Sequence, residues 1–317
     1  MRRFVTFALV LLLATAAQAA TDTIRKGFHV APGGTLYLDA GVGAITIVTG
    51  GSGVAFEVNR KARGRHDDEQ LREHRITFRQ DGNDVHVESD FDHSWDRWFS
   101  DYDVEWNIRV PADYNLDVKT SGGSIDLADI GGTVDARTSG GSIKTGMLKG
   151  PATLKTSGGS IHIGGTRGSV VAHTSGGWIK VGDASGPVEA KTSGGSITIT
   201  RAEGDVIART SGGGITIEDA SGTVDASTSG GSIQARLSRQ PRGDSRLTTS
   251  GGGVTVTLAN GVGVQLDAKA SGGGVHSDVP ITIVGSQDDD ELRGAINGGG
   301  PKLVLRSSGG GIRVKPL

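Results

Sequence analysis

The sequence predicts an all-β fold: a single-stranded β-solenoid of about 18 residues per coil, joined to a less regular N-terminal β region that carries a charged and aromatic excursion. Three observations predict it. Ser-Gly-Gly recurs with an 18-residue period at Ser121, Ser139, Ser157, Ser175, Ser193, Ser211 and Ser229. Between these corners, apolar residues alternate with polar ones at the period of a strand. Finally, 53 Gly against four Trp, three Tyr and seven Phe in 317 residues cannot fill a bulky globular core, whereas a thin Ile, Val and Ala ladder can be stacked coil on coil.

The N-terminus reads as a secretory signal peptide over residues 1–19. Arg2 and Arg3 precede the apolar run Phe4 to Ala14, and Ala17-Gln18-Ala19 supplies small residues for cleavage after Ala19. That run is too short to span a bilayer, and no other segment approaches the ~18 apolar residues a transmembrane helix needs. There is no Cys, hence no disulfide framework or lipid-anchor Cys. The expected address of the mature chain is the periplasm, the medium or the cell surface.

Residues 20–118 form the N-terminal β region, expected to continue into the solenoid. Strands are predicted at Thr35 to Leu38, Ala44 to Val48, Val54 to Asn59, Ile76 to Arg79, Val85 to Glu88 and Val104 to Val110. Ala40-Gly41-Val42-Gly43 followed by Ala44-Ile45-Thr46-Ile47 reads as a degenerate corner and strand, and the charged stretch Arg63 to Arg75 as an excursion containing a helical turn.

Residues 119–317 are the repeats. Counting each unit from its Ser, position 5 is an Ile ladder (Ile125, Ile143, Ile161, Ile179, Ile197, Ile215, Ile233), and positions 14 and 16 form a second inward pair, such as Val188 and Ala190. Each coil thus carries two short strands. Position 10 adds a small or apolar inward residue, which leaves a two-faced or a three-faced section open. Gly at positions 2, 3 and 12 is predicted to supply positive φ at the corners. Position 18 is Thr in six strict units, from Thr138 to Thr228; its parity places it inside, with the hydroxyl bonding along the stack, and argues against an exposed ice-binding array. From Ser229 the units lengthen. Arg236 to Arg246 and Ser286 to Glu291 read as solvated corner excursions.

Glu105-Trp106-Asn107-Ile108-Arg109-Val110-Pro111 leads into Leu116-Asp117-Val118-Lys119-Thr120-Ser121-Gly122-Gly123-Ser124-Ile125, and the chain closes on Leu303-Val304-Leu305-Arg306-Ser307-Ser308-Gly309-Gly310-Gly311-Ile312-Arg313-Val314. These runs resemble the bacterial putative-adhesin family, a domain family of unknown function built from repeated Thr-Ser-Gly-(Gly or Asp)-(Ser or Asp)-Ile corners. The resemblance covers nearly all the mature chain. It implies an exported β-solenoid with an adhesin-like role and carries over no catalytic residue.

Two surfaces are candidate binding sites. The first is an aromatic and acidic cluster in which Phe91, Trp95, Trp98, Phe99, Tyr102 and Trp106 interleave with Asp90, Asp92, His93, Asp96, Asp101 and Asp103. Its rings either fold over an end or side of the solenoid, blocking edge pairing, or offer faces to a sugar or a protein groove. The second is position 17, which faces outward as Lys119, Arg137, Lys155, His173, Lys191 and Arg209. Stacked about 4.8 Å apart, these cations either form a solvated face that discourages aggregation or bind an anionic polymer.

Other chemistry has weaker support. Position 6 (Asp126, Lys144, His162, Lys180, Thr198, Thr216) lacks the oxygen ladder of a calcium β-roll, and His66, Asp67, Asp68, His74 and His93 match no metal spacing. No metal or cofactor is implied. Asp129, Asp183 and Asp219 sit singly at corners, and no acid–base pair stands out. A net charge of -2 gives no pull toward nucleic acid. The sequence therefore favours a non-enzymatic adhesin-like or envelope-associated binding protein whose partner is a surface glycan, an anionic polymer or an envelope protein. A polysaccharide-active solenoid enzyme and a purely structural envelope protein are the alternatives.

Overall fold

The computed structural model describes residues 20–63, 71–91, 102–283 and 288–317. Within them, strands β1 to β29 in chain order form two sheets of 14 and 15 strands that face each other across one apolar interior. Strands β8 (Asn115–Thr120) and β9 (Ile125–Leu127) make one coil, and β10 (Val134–Thr138) and β11 (Ile143–Leu148) the next. The alternation continues to β22 (Ser245–Thr249) and β23 (Val254–Leu258), with even-numbered strands in one sheet and odd-numbered in the other. Neighbours are parallel and in register: Ile143 lies beside Ile125 and Ile161, and Val134 beside Leu116 and Ala152.

The inward positions follow the sequence pattern. Ile125 through Ile233 at position 5 are at most 1% exposed, and position 10, from Ile130 to Ala220, is buried as well. Position 10 ends the strand that begins at position 5, as in β11, so the section has two main faces. Thr at position 18 is buried, and its Oγ1 donates to the carbonyl of a position-3 Gly one coil back, as Thr156 does to Gly141 at 2.7 Å.

The repeat glycines act for a different reason than expected. None of those at positions 2, 3 or 12 has positive φ; the positive-φ glycines lie in the end regions, among them Gly33, Gly43 and Gly261. What excludes a side chain is the stack itself. A Cβ on Gly141 would lie 2.1 Å from the Gly123 carbonyl oxygen, and one on Gly186 2.4 Å from that of Gly168. The requirement comes from backbone passing directly over backbone at two corners per coil.

At both ends the order of coils departs from the order of the chain. The coil of β2 (Thr35–Asp39) and β3 (Ala44–Thr49) is sandwiched between β8–β9 and the coil of β6 (Asp84–Phe91) and β7 (Tyr102–Val110), although β6 and β7 lie between them in the chain. At the other end, β28 (Lys302–Ser307) and β29 (Ile312–Pro316) insert between β22–β23 and the earlier pair β24 (Val264–Ala270) and β25 (Val275–Ser277). The Ser308 corner therefore stacks on the Ser250 corner, ahead of Ser271 in space.

Antiparallel strands then close the ends. At one end β4 (Gly53–Ala62) pairs with β7 and with β1 (Ala20–His29), a strand the sequence reading did not identify, while β5 (His74–Asp81) pairs with β6. Phe28, Phe56 and Phe78 pack together there, with Phe56 and Phe78 ring centres 5.3 Å apart. At the other end β27 (Glu291–Ile296) runs antiparallel to β24 and to β26 (Ile281–Ile283). Glu291, expected in a loop, is thus a strand residue.

Candidate functional site

Position 17 is an outward lane of one sheet. Register places Glu88, Asp39, Lys119, Arg137, Lys155, His173, Lys191 and Arg209 side by side, so two carboxylates precede the cations at the N-terminal end. Beside it runs position 15, which contributes Asp117, Asp135, Glu189 and Asp225. The two lanes neutralise one another. Arg137 reaches Asp135 at 2.5 Å, His173 and Lys191 share Glu189 at 3.0 and 2.5 Å, and Arg209 reaches Asp225 at 2.5 Å. The hydrogen bonds from Lys191 and His173 hold the Glu189 carboxyl below the usual carboxylate range. Among the described residues only Lys119 and Lys155 of the candidate cations lack an ion pair. A shallow groove of about 480 Å³ follows the lane past Lys119, Arg137, Lys155 and His173 along the Thr-Ser corners.

The aromatic cluster does not come together as one surface. Trp95 and Trp98 lie outside the described residues. Trp106 is fully buried: it sits opposite Ile45 in the paired strand and donates its indole N–H to the Val42 carbonyl at 3.2 Å. It offers no ring face to a ligand. The alternation Val104, Trp106, Ile108, Val110 carried that signal, which clustering of aromatic letters obscured. Tyr102 is half-buried and its hydroxyl meets His74 Nδ1 at 2.6 Å; burial raises its phenol pKa above the ordinary range.

His74 in turn meets Ser89 Oγ through Nε2 at 2.7 Å. That is the spacing of a nucleophile and its base. Yet His74 is 3% exposed, and burial, with the nearby Arg60 charge, pushes its pKa down to about 4. A neutral imidazole of such low basicity is a strut tying β5, β6 and β7. Arg60 completes the bracket, donating to the carbonyls of Leu71 and His74 at 3.0 and 2.9 Å and pairing with Asp22. Of the other residues considered for metal binding, His66, Asp67, Asp68 and His93 lie outside the described residues.

Corner carboxylates are likewise engaged. Asp129 accepts the Met147 N–H at 2.7 Å, Asp205 accepts both the N–H and hydroxyl of Thr223, and Arg201 bridges Asp183 and Asp219 at 3.4 and 3.6 Å.

One surface residue escaped the sequence reading. Position 4 is Ser in most units, but Trp178 occupies it in the unit that begins at Ser175, with its side chain 47% exposed. The break in the Ser pattern was the available signal. Among the described residues, no helix is long and apolar enough to cross a membrane.

The Toastrack DUF4097 family model matches residues 44–315. Among solved structures, "a putative cell adhesion protein" from Clostridium sporogenes is similar at 12% identity, covering 94% of this chain and 100% of that one, with a TM-score of 0.26. "A putative adhesin" from Bacteroides fragilis is similar at 11% identity, covering 93% and 97%, with a TM-score of 0.35. A "putative lipid binding protein" from Parabacteroides distasonis is similar at 11% identity, covering 92% and 96%, also with a TM-score of 0.35. No curated protein matches the chain.

Proposed function

The chain belongs to the Toastrack DUF4097 family, a family of unknown function, and we propose that it is an exported, non-enzymatic β-solenoid acting as an adhesin-like or envelope-associated binding scaffold. The observation that carries this is how the surface carboxylates are used. Solenoid hydrolases and lyases need free, convergent acids in a groove. Along the strict repeat, Asp135 pairs with Arg137 in its own strand, Glu189 and Asp225 pair across coils with His173 and Arg209, and Asp129 and Asp205 accept corner amides. What the rod presents instead is a set of straight outward lanes repeating about every 4.8 Å, a geometry suited to an extended partner. Lys119 and Lys155, two coils apart, are the position-17 cations that make no ion pair among the described residues and so are free to meet an anionic polymer or an envelope component. Export rests on the leader, whose removal after Ala19 releases a chain starting at Ala20, the first residue of β1.

The test applies mature protein, residues 20–317, to a glycan array and to isolated envelope fractions, and assays polysaccharides for new reducing ends or unsaturated products. Retention without turnover is expected, weakened and made less salt-sensitive by Lys119→Gln with Lys155→Gln, because exposed charge attraction is screened over about 8–10 Å. Turnover would overturn the non-enzymatic assignment, and retention by no glycan or fraction would overturn the binding role.

A further inference from the structure

Trp178 interrupts a hydrogen-bonded ladder. At position 4 the N–H donates to the preceding coil's side chain where that coil carries Ser: Ser142 to Ser124 at 3.2 Å, Ser160 to Ser142 at 3.1 Å, Trp178 to Ser160 at 3.2 Å and Gly214 to Ser196 at 3.3 Å, while Gly214, like Trp178, offers no acceptor to the next coil. Indole has a donor and no acceptor, so Trp178 cannot receive the Ser196 N–H. Trp178 breaks the local rule, gives up a ladder bond and stays 47% exposed, so burial in the core does not explain it. Departures from a local rule are expected at functional or strained positions.

The surroundings fit a polar ligand with one apolar face. Trp178 stands over a groove of about 670 Å³ whose other walls include His162, Lys180, Gly195, Ser196 and Thr198. The His162 ring braces the indole edge-on at 6.2 Å, with the planes at 79°. On the far side, Gly195 leaves the corner low, and Ser196 and Thr198 offer hydroxyls. Apart from Ile179, whose side chain points inward, no apolar residue joins the indole there, so the spot lacks the contiguous apolar patch of a protein interface. The C–H face of a pyranose on the indole, with its hydroxyls toward Ser and Thr, satisfies every group present.

The local charge selects among sugars. No carboxylate lines the groove, and among the described residues Lys180 makes no ion pair. Register sets Lys180 beside His162, and His162 beside Lys144, which reaches Asp126 at 3.8 Å. His162 is held below its ordinary pKa first by burial and then by Lys180 and Lys144. We propose that Trp178 and Lys180 form a subsite for an acidic glycan, with a pyranose ring stacked on the indole and its acid group at the Lys180 ammonium. The proposal rests on the binding role above and assigns it a ligand class and a place on the opposite sheet from the position-17 lane.

Titration calorimetry of the mature chain with a hexagalacturonate, and with maltohexaose as the uncharged comparison, tests it. Trp178→Ser restores the repeat residue and the lost acceptor, so the melting temperature should hold or rise while hexagalacturonate affinity falls about tenfold or more. Lys180→Gln should cut the hexagalacturonate affinity several-fold, flatten its salt dependence and leave any maltohexaose binding unchanged. Hexagalacturonate binding that persists undiminished in Trp178→Ser, or that is absent from the wild-type chain, would overturn the subsite. Retention of the wild-type chain by envelope fractions with no hexagalacturonate binding would remove the subsite while leaving the binding role intact. A Trp178→Ser chain that loses envelope protein capture but never binds hexagalacturonate would place a protein partner there instead.

Discussion

The Thr156 hydroxyl donates to the Gly141 carbonyl at 2.7 Å and accepts the Gly159 N–H at 3.3 Å, so one buried oxygen ties two successive corners. The same bracket recurs from Thr138 to Thr228, and Thr120 extends it to Gly43 at 2.8 Å, in the coil that precedes the strict repeat. Thr156→Val keeps the shape and strips both bonds. Leaving a buried carbonyl unpaired costs about 1–3 kcal/mol, so a clear fall in melting temperature is expected, with Thr156→Ser losing much less. Equal losses would mean that the methyl, not the hydroxyl, is what the corner needs.

Corner glycines separate by position. Gly195→Ala forces a Cβ to within 2.1 Å of the Gly177 carbonyl oxygen, whereas a Cβ at Gly122 meets nothing within 4 Å. Forcing atoms into a packed stack typically destabilises by about 1–3 kcal/mol, and rigid backbone on both sides puts Gly195→Ala at or beyond the upper end. Gly122→Ala should stay within about 0.5 kcal/mol of wild type. Denaturant melts of the pair check this, and a harmless Gly195→Ala would refute the close-approach account.

Ile197 is fully buried and its neighbour Thr198 half-exposed on the opposite side of the strand. Ile197→Asp should destabilise the rod by more than about 3 kcal/mol, because a carboxylate there has no partner and must be protonated or hydrated at the expense of the stack. Thr198→Asp should change the melting temperature little. Comparable losses in thermal melts would contradict the inward and outward assignment.

Acid should loosen the N-terminal end through His74. Its pKa falls from 6.5 to about 4 on folding, so between those values the unfolded chain binds the proton and the folded chain does not. Stability from this group is therefore fully present above about pH 6.5, declines as pH falls to about 4 and is lost below, a swing on the order of 3 kcal/mol. His74→Gln keeps polar contacts without titrating. Stability measured from pH 7 to 4 should fall more steeply in wild type than in the variant, and parallel curves would dismiss His74 as the cause.

Much of the site was legible once its face was known. The parity that put Lys155 outside and Thr156 inside came from counting by twos, and the structure agrees on both. What counting could not supply was which of the neighbouring charges pair. Arg137 beside Asp135, or Lys191 beside Glu189, looks like an ordinary local pair, and only the stacked register shows that His173 joins the same Glu189 from the next coil while Lys155 is left over. Trp106 shows the opposite failure, since its alternation was readable and its residue type distracted from it.

A period of 18 with two inward strands determines the coil by itself, because each unit can bury its Ile and Val only by stacking on an identical neighbour, and that constraint is local and repeated. The ends escape it. Nothing in the letters around Ser308 says that this corner stacks on Ser250 and not on Ser271, or that β2 and β3 lie between β6–β7 and β8–β9. Corners this similar are nearly interchangeable in local energy. Their order is fixed by long-range closure, in which antiparallel β4, β5 and β27 must cover the last apolar layer and its open edges, and only the tertiary structure decides it.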